Sequence, residues 1–314
     1  MRIFITGASG YVGSVVSEKA IKGGHTVLGL TRSDASASKL EKIGGMPVLG
    51  KLEDLDLLTK MAKEADAVLH LGFVHEFNRP YEELLAIDIN AIQAISKGLL
   101  HTNKALITTS GTGLVAADNG KETFEDSPIA NEAVSHRVLS EQAALKFADE
   151  GVRVMVLRLA PHVYGRGGSY FVPMTMQAAA KCGFAPYVGD GMQMTTAADV
   201  DAAAELYLLA MEKGKAGSVF NCSTETDVRL KDMATAIGNA LDIGTKSVTI
   251  EEASEIVGPF VTQFSQMENR ASNQKAKREL GWQPAPKFSL LDDIVKGSYR
   301  PFADKLKSEV ATAR

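Results

Sequence analysis

The stretch RIFITGASGYVG, residues 2–13, decides the fold. RIFIT is apolar and β-branched enough to predict a strand, and YVGSVVSEKAIKGG after it carries a helical pattern from about Tyr11 to Gly23. Between them stand Gly7, Gly10 and Gly13, each three residues from the next. A glycine first in such a turn permits a tight reversal. The second lets backbone approach a pyrophosphate, and the third lets helix and strand pack closely. Phosphates would then meet free N–H groups at the positive end of the helix. A strand–glycine turn–helix therefore predicts dinucleotide binding; its competitor is a turn that serves packing alone.

The rest of the chain follows the same alternation. TVLGLT (26–31), PVLG, DAVLHLGF (66–73), KALITTS (104–110) and VRVMVLRL (152–159) read as strands. Helical patterns separate them, near SKLEKIG, over EDLDLLTKMAKEA, from about Tyr81 to His101, and over ANEAVSHRVLSEQAAL (130–145). Short apolar runs alternating with helices predict an α/β fold, a doubly wound parallel Rossmann sheet covered on both faces. After about residue 165 the pattern loosens into helices and one short strand, SVFNCS. The expected organisation is a dinucleotide-binding domain over 1–165, to which 196–223 returns. A smaller C-terminal substrate-binding part spans 166–195 and 224–314.

Composition sets limits on partners. The 314 residues are 45% hydrophobic and 23% charged, with a net charge of −4. No basic face suggests nucleic acid, and no apolar run approaches a membrane span of roughly 18 residues. No secretory pattern stands at MRIFITGASG, and Cys182 and Cys222 imply neither a disulfide framework nor a zinc site, so a cytoplasmic protein with no metal is expected.

The end of the second strand selects the cofactor. Arg32 stands first after TVLGLT, then Ser33 and Asp34. A guanidinium suits the 2′-phosphate of NADP, where a carboxylate would hold the ribose of NAD. NADP(H) is the expectation, with NAD(H) as the alternative and Asp34 read as a cap for the following helix.

Together these segments resemble the short-chain dehydrogenase/reductase superfamily in its extended branch, the NAD-dependent epimerase/dehydratase family. TGASGYVG is similar to the extended-type glycine motif. VLHLG (68–72), DINAIQ with Asn90, ITTSGTG with Ser110, LRLAPHVYGRGG (157–168), VGDGMQMTTAADV and RELGWQP (278–284) are similar to later family segments. The cofactor-binding set implied is Gly7, Ser9, Gly10, Tyr11, Val12, Gly13, Arg32, Ser33, Leu52, Leu71, Gly72, Arg137, Pro161, His162 and Val163.

One departure falls on chemistry. The family carries Tyr-x-x-x-Lys on the helix after the serine strand, the Tyr passing the proton and the Lys holding the ribose. The matching positions here are Ala133 and Arg137, and no tyrosine occurs between Tyr81 and Tyr164. The chain thus resembles an atypical subgroup lacking the usual pair. Arg137 keeps a cation for the ribose; a proton must come from elsewhere. Ser110 is the candidate that orients or relays, and His75, on a loop after the fourth strand, is the candidate acid. His136 and His162 are weaker candidates, while Tyr164 is read as packing and His70 as a satisfied core residue. Asp199 and Asp201 suit capping, and ENRASNQKAKREL reads as a solvated helix face. Phe73, Phe77, Phe171, Met174 and Met176 offer an apolar lining, against the commoner fate of core packing.

The function expected is NADP(H)-dependent reduction of a carbonyl or activated alkene of a small, moderately apolar substrate. A non-catalytic NADP(H) sensor is the alternative, and sugar-nucleotide epimerase or dehydratase chemistry the third reading. The resemblance also implies pairing into a homodimer through the helices after the fourth and fifth strands.

Overall fold

Apolar strands that alternate with amphipathic helices must bury two sheet faces, and the chain does so. The computed structural model describes residues 1–76, 79–130 and 136–312. In chain order β1 (Arg2–Thr6) leads to α1 (Tyr11–Lys22), β2 (Thr26–Thr31) to α2 (Asp34–Lys42), and β3 (Met46–Leu49) to α3 (Leu55–Glu64). Next come β4 (Ala67–His70), α4 (Tyr81–Leu99), β5 (Ala105–Gly111), α5 (Val138–Leu145) and β6 (Arg153–Leu159). The helix expected over 130–145 thus starts at Val138; residues 131–135, Ala133 among them, lie outside the described residues.

The second half is β7 (His162–Tyr164), α6 (Phe171–Cys182), β8 (Phe184–Val188), β9 (Met194–Asp199), α7 (Val200–Lys213) and β10 (Ser218–Cys222). It continues through β11 (Glu225–Arg229), α8 (Leu230–Leu241), β12 (Gly244–Val248), α9 (Ile250–Val257) and α10 (Pro259–Ser265). It ends with α11 (Gln274–Leu280), α12 (Leu290–Lys296) and α13 (Arg300–Thr312).

Seven parallel strands form the main sheet, in the order β10-β6-β5-β4-β1-β2-β3. Period-2 alternation splits each strand between two cores. Ile3, Ile5 and Leu69 face the side covered by α1 and α7, and Phe4, Val68 and Leu106 the side covered by α3 and α4. Fully burying each such side chain contributes about 1.5–3 kcal/mol. Trp282 seals the first core, its indole N–H donating to Ala202 O at 3.0 Å.

Two smaller sheets, β11-β9-β7 and β12-β8, build the remainder around a third core that includes Met176, Ile237, Leu290 and Tyr299. Asn269, Ser272 and Asn273 are buried here, which corrects the reading of ENRASNQKAKREL as a solvated face. The Asn269 amide donates to Thr112 O and its carbonyl accepts from the Thr112 hydroxyl; Asn273 donates to Ser223 O. Only from Gln274 onward is the segment helical.

Strand order reverses between β1 and β4, because the chain runs outward through β2 and β3 and returns to the other side of β1. In open α/β sheets the crevice beyond the carboxyl ends at such a point is where ligands bind. Thr6 and His70 are cross-strand partners there, and His70 is in turn the partner of Thr108.

Candidate functional site

The glycine turn lies in that crevice. Gly7 has φ +71, a conformation that disfavours a side chain, and a Cβ on it would stand 2.8 Å from Gly72 N. A Cβ on Gly13 would stand 2.0 Å from Gly7 O, so only glycine lets α1 sit this close to the turn. Gly10 caps α1 without any side-chain hydrogen bond. The first-turn amides of α1, those of Tyr11, Val12 and Gly13, are the ones a helix leaves without internal acceptors. A pyrophosphate fits this cradle on both charge and space. The Tyr11 side chain does something else: its hydroxyl donates to Gly165 O at 2.7 Å and ties α1 to the turn after β7.

Beside the cradle runs a buried polar chain. Gly72 N–H donates to the Thr6 hydroxyl (3.0 Å), which lies 2.8 Å from His70 Nδ1. His70 Nε2 lies 3.1 Å from Asp88 Oδ1, and Asp88 Oδ2 lies 3.7 Å from the Arg137 guanidinium. Arg137 also donates to Thr109 O at 2.8 Å and lies 4.4 Å above the Phe73 ring. Its Nε is buried with no partner among the described residues. Burial works to raise the Asp88 pKa, yet the bond from His70 and the charge of Arg137 override it and hold the carboxyl below its ordinary range. Ser110, at the end of β5, is 5% exposed, and its hydroxyl has no hydrogen-bond partner among the described residues.

Residues 3–223 match the model of the NAD dependent epimerase/dehydratase family. The chain belongs to that family. An uncharacterised protein of Schizosaccharomyces pombe is 40% identical over 95% of this chain and all of its own length. A 4-hydroxy-2-methyl-3-oxo-4-farnesyl-3,4-dihydroquinoline-1-oxide ketoreductase of Stigmatella aurantiaca is 25% identical over 90% of this chain and 92% of its own. Among solved structures, UDP-glucuronic acid 4-epimerase from Bacillus cereus, in complex with NAD, superposes with a TM-score of 0.78. It covers 98% of this chain and all of its own at 17% identity, a likeness of fold.

The other residues that the sequence reading named are placed as follows. Arg32 is exposed at the end of β2 and has no ion-pair partner among the described residues. Ser33, not Asp34, caps α2: its hydroxyl accepts from Ser36 N, leaving Asp34 as the first helical residue. Ser9 lies in the turn itself, and Leu71 and Gly72 face that turn from the segment just beyond β4. The Leu52 side chain packs into the α3–α4 core.

The histidines divide sharply. His75 keeps solvent access at the rim, its ring 5.2 Å from Phe73. Protein packed against it, and then the charge of Arg137, lower its pKa, which reduces the cation available at neutral pH and works against an acid role. His136 is exposed in the turn before α5, 6.5 Å from Tyr81. His162, between half-buried Pro161 and buried Val163, is itself buried and faces away into the smaller core, edge-on to Phe171 at 5.5 Å. Its Nδ1 has no partner among the described residues, and burial alone pushes its pKa down to about 4. Tyr164 packs, donating to Phe288 O. Asp199 caps α7 through Ala202 N, while Asp201 pairs with Arg166 and Lys19.

Met176 is core, whereas Phe171 lines a cavity; Phe77 lies outside the described residues. Asp88 is the site residue the sequence reading missed. Its signal was present, since it falls four residues after Leu84 and four before Ile92, on the apolar face of α4.

Proposed function

We propose that the protein is an NADP(H)-dependent reductase of a carbonyl or activated alkene on a small apolar substrate. The observation that carries this reading is the glycine cradle at the switch point, flanked by Arg32, which has no ion-pair partner among the described residues, and by Arg137, held by Asp88. When bound there, a nicotinamide dinucleotide supplies hydride. The amides of Tyr11–Gly13 hold its pyrophosphate, and Arg32 meets the 2′-phosphate. Arg137, steadied by Asp88 and Phe73, faces the ribose. The uncommitted Ser110 hydroxyl orients the substrate oxygen and passes it a proton from solvent. Residues 166–195 and 224–314 form the substrate-binding part, and two copies pair.

Without a tyrosine donor the rate falls typically 10²–10⁴-fold, yet orientation against the hydride source still supplies much of the acceleration. A family that includes the ketoreductase above supports this chemistry. The test is consumption of NADPH and NADH, in parallel, across aldehydes, ketones, diketones and enones. Turnover faster with NADPH is expected; turnover faster with NADH would remove the phosphate role of Arg32.

The absence of any tyrosine between Tyr81 and Tyr164 favours a second reading, a non-catalytic NADP(H) sensor. NADPH binding with no turnover on any of those substrates would select it.

A further inference from the structure

The carboxyl edge of the sheet carries a second cation beside Arg32. β2 and β3 pair in parallel with Thr31 opposite Leu49, and Gly50 N–H donates to Thr31 O at 2.9 Å. The ladder therefore runs on past the end of both strands. Arg32 leaves β2, and Lys51 leaves the segment after β3, from backbones about 5 Å apart, the ordinary spacing of paired strands. Two side chains this long reach one ligand from such a distance. Both residues are exposed. The neighbours of Lys51 are turned inward instead: a Cβ on Gly50 would strike Leu57 and lie 3.3 Å from Leu30, and Leu52 is buried in the same α3–α4 core.

Three carboxylates are close in sequence, at Asp34, Glu53 and Asp54, yet neither Arg32 nor Lys51 has an ion-pair partner among the described residues. Asp54 is engaged with backbone, its carboxylate accepting from Lys51 N–H at 2.7 Å. The Ser33 hydroxyl is engaged with α2, accepting from Ser36 N at 3.3 Å and donating to the Ser36 hydroxyl at 3.1 Å. The guanidinium of Arg32 and the ammonium of Lys51 thus keep their charge available to an external anion at this edge.

We infer that Lys51 is a specificity-determining residue for the cofactor, its ammonium sharing the 2′-phosphate of the nucleotide with Arg32. A phosphate monoester carries roughly −1.5 to −2 charge at pH 7, so one guanidinium leaves it under-compensated and a second cation completes the match. The two contribute differently. Arginine offers a fixed planar fork, and lysine a point charge on a flexible stem that follows the phosphate. The inference rests on the NADP(H) reading of the cofactor and not on whether a substrate is reduced.

The test is calorimetric titration with adenosine 2′,5′-bisphosphate and with 5′-AMP, which lacks only the 2′-phosphate, alongside NADPH and NADH. The wild type is expected to prefer the bisphosphate. Lys51→Ala is expected to weaken the bisphosphate and NADPH roughly tenfold and to leave 5′-AMP and NADH within a factor of about two. Lys51→Glu, which reverses the charge, is expected to weaken the first pair further. Lys51→Ala combined with Arg32→Ala is expected to bring the bisphosphate to the level of 5′-AMP. An exposed side chain outside the cores is replaced at little cost to the fold, so melting temperatures are expected to stay unchanged and the losses to report on binding. An undiminished preference for the bisphosphate in Lys51→Ala and Lys51→Glu, or an equal loss for all four ligands, overturns the proposal and leaves the assignment of Arg32 standing. A wild type that binds the bisphosphate no more tightly than 5′-AMP would instead remove the NADP(H) reading itself, and Lys51 with it.

Discussion

Asp88 Oδ2 stands 3.7 Å from the Arg137 guanidinium, with Asp88 1% exposed and Arg137 18% exposed. The pair joins the middle of α4 to the turn that starts α5, and His70 completes it from β4. Removing one member of a buried pair leaves the other charge uncompensated, which costs more than the pair itself contributes. Asp88→Ala is therefore expected to lower unfolding stability by about 3 kcal/mol, and Asp88→Asn by less. Urea unfolding measures both. A loss for Asp88→Ala below about 1 kcal/mol would mean that the pair behaves as a surface contact.

In the proposed reading Arg32 meets the 2′-phosphate, and it has no ion-pair partner among the described residues. Losing one charge-assisted hydrogen bond weakens binding by roughly ten- to a hundredfold. Arg32→Ala is expected to raise the NADPH dissociation constant by that factor and leave NADH within a factor of about two. Fluorescence titration of the two nucleotides reads this directly, and a parallel loss for both would assign Arg32 to structure or to the shared part of the cofactor.

Gly13 offers a test of the cradle itself. A Cβ there would lie 2.0 Å from Gly7 O, and both partners are backbone, so nothing flexible can yield. Gly13→Ala is expected to destabilise the fold by about 1–3 kcal/mol and to abolish nucleotide binding. Full nucleotide affinity in a variant with an unchanged melting temperature would show that α1 need not approach the turn so closely.

The inner strands of the main sheet, β1, β4, β5 and β6, were legible because each buries both faces and so reads as a largely apolar run, whereas β3 at the edge is exposed at Met46 and Leu49. β12, GTKSV, is exposed at four of its five residues and carries no such signature; its partner β8 contains a proline. Both exist because they pair with each other across some 60 intervening positions in the chain, a contact that local pattern does not record. The same holds for Asn269: nothing near it announces burial, since its partner Thr112 is 157 residues away. The cradle was readable because its requirement is steric and local. Arg137 was readable by position, but its holder Asp88 lies on the apolar face of α4 and is paired with His70 of another element, a contact that local pattern does not record.

His162 gives the protein a calculable dependence on pH. An ordinary histidine takes up its proton near pH 6.5, about the value expected for the unfolded chain. In the fold, burial lowers this to about 4. Between the two values the unfolded chain binds more protons than the native one, so the unfolded state gains as pH falls. Stability assigned to neutral His162 is thus intact above about pH 6.5 and is lost progressively toward pH 4. With a depression of this size the loss between pH 7 and pH 5 is about 2 kcal/mol. His162→Phe keeps an aromatic in the smaller core but removes the titration. Urea midpoints for both proteins at pH 7 and pH 5 are therefore expected to show a steeper fall in the wild type, by that margin. Parallel pH profiles would mean that the imidazole is hydrated in the folded state, and the enclosed environment drawn for it would have to be abandoned.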